Sequence, residues 1–214
     1  MTSAIVVSVN VGQPKPLAGK SGVSSIDKRG VDGPVAVQLL GLAGDTQSDK
    51  ANHGGVDQAV YAYATEDLAH WATILDRELT PGQFGENLST RGVDVTGAVI
   101  GETWRVGSTL LQVSVPRIPC VVFQNWLAEP QWTKRFTEEG RPGAYLRVLE
   151  PGELAANDEI VIEHRPDHDV TIGLVFRALT TERDLLPRLL VAHDLPEDLY
   201  ASVERAGEQL ANES

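Results

Sequence analysis

The single cysteine of the chain, Cys120, stands in the run VSVPRIPCVVF, directly behind Pro116, Arg117, Ile118 and Pro119. Two prolines fix their own φ angles and push the residues before them into extended conformations, so the approach to the sulfur is stiff. Arg117 can lower the pKa of the thiol or bind an anion, and a thiolate that holds a metal or attacks a substrate benefits from both features. The same run also suits a small apolar residue packed by Val121, Val122 and Phe123. The residues alone leave both readings open.

Three other loops carry polar groups beside glycines. In GDTQSDKANHGGVDQAVYAY, residues 44–63, Gly54 and Gly55 follow His53 and permit positive φ or close approach of another molecule. An exposed turn carrying His53 is expected there. GQFGENLST, residues 82–90, sets Phe84 as an apolar anchor beside Glu86 and Asn87. GRPGAYLRV, residues 140–148, sets Arg141 and Arg147 near paired glycines, as an anion-binding turn would. Two tempting motifs fail on geometry. LAGKS at 17–21 lacks the first glycine of a P-loop, because position 14 is Pro14, and no helix follows it. His164 and His168 have helical spacing, but Pro166 between them argues against the helix that would bring both rings to one zinc.

Elements must position these loops. Residues 4–9, 35–40, 59–63, 104–115 and 159–163 are β-branched or alternating runs punctuated by Gly, Pro and Asp-Gly, which predicts strands of an irregular sheet or barrel. Thr65 is placed to cap a helix over 66–78, with Leu68, Trp71, Ala72 and Leu75 on one face, and Glu129-Pro130 opens a short helix through Glu138. After HRPDHD the periodicity is helical throughout, predicting three short helices with Pro187 in a first turn and Pro196 at the start of the last. The expected organisation is therefore a body over residues 1–166 and a helical appendage over 167–214.

At 214 residues, with 42% hydrophobic and 22% charged side chains, the chain can bury a sizeable core, and neither disorder nor a fibrous repeat is indicated. A net charge of -12 repels a nucleic-acid backbone, so nucleic acid is not an expected partner. From Asp167 onward ten acidic side chains face four arginines, a balance of -6, half of the total on less than a quarter of the chain. No apolar run approaches the roughly 18 residues that span a bilayer, and MTSAIVVSVNVG has no basic segment before its apolar stretch. No membrane partner is expected. One cysteine forbids an intrachain disulfide and fits a reducing compartment, so the cytoplasm is the expected location.

The four loops in this order, His53-Gly54-Gly55, Phe84-Gly85-Glu86-Asn87, Pro116-Arg117-x-Pro119-Cys120 and Gly140-Arg141-Pro142-Gly143-x-Tyr145, resemble the stand-alone MOSC proteins of the YiiM type. That family is related to the C-terminal domain of molybdenum cofactor sulfurases. KRGVDGPVAVQLLGLAGDTQSD matches its upstream signature and the tail resembles its appended three-helix domain, with one departure at Gly30-Val31, where relatives often carry Pro-Val. The resemblance implies an α+β, mainly β fold: a β-barrel-like MOSC domain with a C-terminal three-helix domain. It implies a molybdenum–pterin cofactor (Mo-molybdopterin) with Cys120 as the metal ligand and catalytic cysteine. Arg117 and Arg141 would hold phosphate or tune charge, Lys28 would join that clamp, and His53 and Asn87 would line the pterin or substrate pocket.

By the same resemblance the reaction is reduction of a small N-hydroxylated substrate of the hydroxylaminopurine type, with His53 as the acid. No flavin, haem or iron–sulfur motif is present, so the electrons must come from an external reductase. Sulfur transfer through a persulfide on Cys120 is the alternative activity. Pyridoxal phosphate binding belongs to the family at large, but this chain has no domain for it and no second cysteine to resolve a persulfide. A non-catalytic carrier of the cofactor would need the phosphate clamp but no proton donor. Oligomeric state is left open, a homodimer included.

Overall fold

The computed structural model describes residues 3–17, 22–48 and 54–212. The β-branched start of the chain forms β1 (Ile5–Gly12). Short strands β2 (Lys15–Pro16), β3 (Val23–Ser24), β4 (Lys28–Gly30), β5 (Val35–Gln38) and β6 (Gly41–Leu42) follow. Next come β7 (Val60–Ala64), helix α1 (Thr65–Leu75) and β8 (Leu88–Arg91). The predicted strand over 104–115 is instead a hairpin, β9 (Thr103–Val106) and β10 (Thr109–Pro116). Gly107 turns it with φ 56°, and a Cβ there would stand 2.3 Å from the Glu153 carbonyl oxygen, so only glycine fits. Helices α2 (Val121–Leu127) and α3 (Trp132–Glu139) lead to β11 (Ala144–Glu150), β12 (Gly152–Leu154) and β13 (Ile160–His164), and α4 (Ile172–Thr180) and α5 (Glu197–Asn212) end the chain.

Eight strands form one sheet in the order β13-β9-β10-β11-β7-β8-β1-β4. All pairs are antiparallel except β7 with β8, whose parallel register requires the crossover that α1 supplies. Opposite ends of this sheet meet at a seam: Ile5 bridges Glu159, and Val6 N and Ile160 N donate to Asp158 O and Ala4 O at 2.9 and 2.8 Å. The seam is an isolated bridge rather than a ladder. The barrel-like expectation therefore resolves into a mixed α/β fold, mainly sheet with helices, without a closed barrel.

Strand β7 is buried along its whole length and divides the interior in two. On one side the aliphatic residues of the sheet, among them Val9, Val60, Leu111, Val113 and Leu146, share a contiguous core with Val175, Leu186, Leu189 and Val203 of the C-terminal segment. On the other, Trp71, Phe84, Phe123, Trp132 and Phe136 pack as an aromatic cluster, with Trp71 and Trp132 centroids 4.5 Å apart. Such rings stabilise mainly by the apolar area they remove from water, with a further contribution from edge-to-face geometry.

Two expected helix details change. Ala64, not Thr65, precedes α1, and Thr65 Oγ1 donates to Thr90 O at 2.9 Å, tying the helix start to β8. The middle C-terminal segment, Arg183–Val191, is a 3-10 helix with Pro187 inside it rather than in the first turn of an α-helix. Proline removes one bond from weakly bonded 3-10 turns at little cost, whereas an α-helix would also suffer its ring clash. Pro196 does stand immediately before α5, its carbonyl accepting from Tyr200 N at 2.9 Å. No helix among the described residues is long and apolar enough to cross a membrane.

Truncating Phe136, which is fully buried in the aromatic cluster, to alanine should cost about 3–5 kcal/mol. Urea denaturation should show a lower midpoint with an unchanged slope. The exposed Val161→Ala on β13 should change stability by less than about 0.5 kcal/mol, and equal losses in the two variants would contradict this core assignment.

Candidate active site

Strand β10 carries a bulge at Ser114, where the register against β11 shifts between Val113 and Val115. Bulges of this kind re-aim the end of a strand. Here the re-aimed end delivers Arg117 and, with Cys120 in extended backbone immediately before α2, the sulfur, to one side of a cleft. Lys28, Asp45, Gln58, Tyr61, Asn87 and Tyr145 line the same cleft, with Ile26 and Val122 as apolar wall. The cleft is open at its mouth and holds about 120 Å³ of accessible space.

Arg117 is 6% exposed. Its Nη1 donates to the Phe84 carbonyl, and its guanidinium carbon lies 4.0 Å from the centroid of Phe123 and 5.1 Å from that of Tyr61. Burial alone would lower its pKa, but the nearby Tyr61, Tyr145 and Cys120 more than offset that and hold the pKa above its ordinary value. The cation is permanent. Among the described residues, its Nε is buried with no hydrogen-bond partner.

The loop that receives this cation is pinned by Glu86. That carboxylate is fully buried and accepts from Gly82 N at 2.6 Å, Phe84 N at 3.0 Å and Ser89 Oγ at 2.7 Å. Burial pushes its pKa up, with the Ser89 and backbone hydrogen bonds opposing. Gly85, at φ 76°, lets the loop pass so close to Ile26 that a Cβ would stand 2.9 Å from Cγ1.

The second cation, Lys28 at the start of β4, is buried against Asp45. Its Nζ donates to both carboxylate oxygens, at 2.6 Å to Oδ2. Burial lowers its pKa while Asp45 works to raise it. Asp45 also accepts from Gly12 N at 2.7 Å and Asn87 Nδ2 at 2.9 Å. Asn87 is the hub that holds this arrangement: Oδ1 accepts from Tyr61 N at 3.1 Å and Nδ2 donates a second bond, at 3.2 Å, to Asn10 O.

The structure thus brings together Cys120, Arg117, Lys28 and Asn87, although the amide of Asn87 is spent on the protein itself. Arg141 is placed elsewhere. It does not line the cleft, and its Nη1 donates to Asp67 of α1 at 2.5 Å. Burial raises the pKa of Asp67, against the pull of Arg141. His53 and most of LAGKS lie outside the described residues, but Gly54, the residue after His53, lines the cleft. Sequence reasoning missed Asp45, Tyr61 and Tyr145 as wall residues. Asp45 stood in a polar run read as an exposed turn, yet its side chain is only 5% exposed because three donors surround it. Among the described residues, no group of three or more His, Cys, Asp or Glu could by itself hold a metal ion.

Known proteins similar to this chain point to one family. The family model of the MOSC domain matches residues 49–161. The chain is 34% identical over 152 residues to protein YiiM of Escherichia coli, covering 70% of this chain and 67% of that protein. It is 30% identical over 207 residues to a protein named Reductase from Gibberella moniliformis, covering 94% of this chain but 37% of that longer protein. The crystal structure of YiiM from Geobacillus stearothermophilus is similar with a TM-score of 0.80 at 27% identity, covering 95% of this chain and 98% of that one.

Replacing Asp45 with asparagine leaves the Lys28 ammonium buried beside a neutral amide and should cost about 3 kcal/mol near neutral pH. Removing Asp45 lowers the folded-state pKa of Lys28 further, so the unfolded chain then binds more protons than the folded one. Stability of the variant relative to wild type should therefore recover as pH rises from about 7 toward about 10. Urea denaturation at both ends of that range checks the sign: a penalty that grows with pH would contradict the buried pair.

Proposed function

The chain belongs to the MOSC domain family, and from that premise we propose that it is a molybdenum-cofactor-binding oxidoreductase that reduces N-hydroxylated compounds, hydroxylaminopurine-type bases among them, with electrons from an external reductase. One observation carries the reading: a half-buried sulfur and two buried cations, Cys120, Arg117 and Lys28, face a single cleft. The relative named Reductase supports redox chemistry as the general activity.

The residues present fit a molybdenum–pterin group. Cys120 offers a soft thiolate suited to a redox metal, and Arg117 offers a fixed positive charge and a buried Nε with no acceptor among the described residues. Lys28 adds a second charge on the cleft wall. When bound, the cofactor supplies two-electron chemistry at the metal. Everything else falls to the chain. Cys120 would hold the metal, and Arg117 and Lys28 would attract phosphate and negative charge at the substrate oxygen. Tyr61, Tyr145, Ile26 and Val122 give walls against which a planar base can lie. We assign proton delivery to His53, whose neighbour Gly54 lines the cleft.

Arg141 takes a different part in this reading. Its pairing with Asp67 and the acceptance by its carbonyl of the Tyr63 hydroxyl, at 3.0 Å, make it a brace for the start of β11 rather than a phosphate ligand.

The test is molybdenum analysis and pterin fluorescence on wild type and Cys120→Ala, purified from a host that makes molybdopterin, together with reduction of hydroxylaminopurine by the wild type with a supplied reductase. Metal content should fall at least about tenfold in the variant, the loss expected when the one strong protein ligand is removed. Equal content in both would remove Cys120 as the anchor, and a metal-free wild type would remove the cofactor.

A further inference from the structure

Three tyrosines cluster where β7 meets β11, and their hydroxyls differ in one respect. Tyr61 donates to Pro142 O at 2.7 Å and Tyr63 to Arg141 O at 3.0 Å, so both are spent on holding the turn before β11. Tyr145 lines the cleft, and among the described residues its hydroxyl has no hydrogen-bond partner. Tyr145 is half-buried on the cleft wall, and its hydroxyl, not spent on the described residues, remains open to a ligand. Its position is firmly set. Tyr145 pairs with Tyr61 of β7 on one side and Val115 of β10 on the other, and its ring centroid lies 5.0 Å from that of Tyr61.

We infer that Tyr145 is a specificity-determining residue, whose cleft-facing phenolic O–H donates a hydrogen bond to the oxygen of an N-hydroxylated substrate and so favours it over the corresponding amine. The inference rests on the reading given under Proposed function and adds to it the group that reads the oxygen. Tyr145 shares the cleft lining with Arg117 and Cys120, and the Tyr61 ring it packs against at 5.0 Å is the one that faces the guanidinium. Burial raises its pKa, Arg117 opposing, so the group remains a donor at neutral pH. A site that hydrogen-bonds a substrate oxygen disfavours the analogue lacking it, because that bond is then not made.

Tyr145→Phe keeps the ring and removes the donor. Binding of 6-hydroxylaminopurine and of adenine should be measured by calorimetry on cofactor-loaded wild type and variant with no reductant present, so that no turnover occurs. Wild type should bind the hydroxylamino compound about tenfold more tightly than adenine, and the variant should bind the two within about twofold. A preference retained in Tyr145→Phe overturns the role of Tyr145 and leaves the N-hydroxy reading standing. Wild type that binds both alike, or neither, overturns both. Molybdenum content should be equal in the two proteins; a loss in the variant would place the phenol in cofactor binding and overturn the specificity role.

Discussion

A guanidinium kept out of water is the constraint to which the rest of the molecule answers. An unpaired buried charge costs far more than a domain's net stability can absorb, and among the described residues Arg117 has no carboxylate paired with it. Its charge is met instead by a carbonyl, Phe84 O, and by the faces of Phe123 and Tyr61. That solution dictates the loop at 82–86, which must turn a carbonyl inward, and so requires Gly82 and Gly85 at positive φ and Glu86 buried beneath to collect the amides left over. It also dictates the aromatic cluster, since Phe84 and Phe123 are held at 5.2 Å by the same rings that form the second core. Substituting any of these residues therefore disturbs cleft and core together.

The second cation is handled in the opposite way. Lys28 has its counter-ion, Asp45, and the carboxylate is saturated by Gly12 N and Asn87 in addition. A buried pair is retained at some cost to stability, and its benefit lies in fixing one arrangement. Here that arrangement joins β1, β4, the segment after β6 and the residue before β8, four pieces of chain brought together at one wall. The two cations are thus unequal: Lys28 spends two of its three donors on Asp45 and is balanced by it, whereas among the described residues Arg117 has a buried Nε without a partner.

Legibility in the sequence followed the same physics. Strands with β-branched runs, such as β1, β7 and β13, could be read from pattern, as could the helical character of the tail and a cysteine on a stiff approach beside an arginine. Strand β8 could not. Its Ser89 and Thr90 are fully buried and polar, satisfied by Glu86, Asn10 and the Tyr63 carbonyl, so the alternation that marks a half-buried strand never appears. Asp45 was illegible for the reason that makes it important, since nothing local distinguishes an aspartate in a polar turn from one neutralised by partners 17, 33 and 42 positions away. Arg141 shows the converse: its place beside glycines suggested an anion site, but Asp67, far away in sequence, had already claimed the charge.

Charge at the scale of the whole chain bears on how the cleft is used. Thirty acidic side chains against eighteen basic ones give a surface that repels anions in general, yet the cleft wall presents two buried cations. Such a contrast admits a small anion only where the local field reverses the global one, within a Debye length of about 8 Å at physiological salt. A dispersed polyanion, which must approach over a broad face, meets the acidic surface first. Under the function proposed above, a compact ligand with one phosphate would answer chiefly to Arg117, since Asp45 on the same wall already balances Lys28.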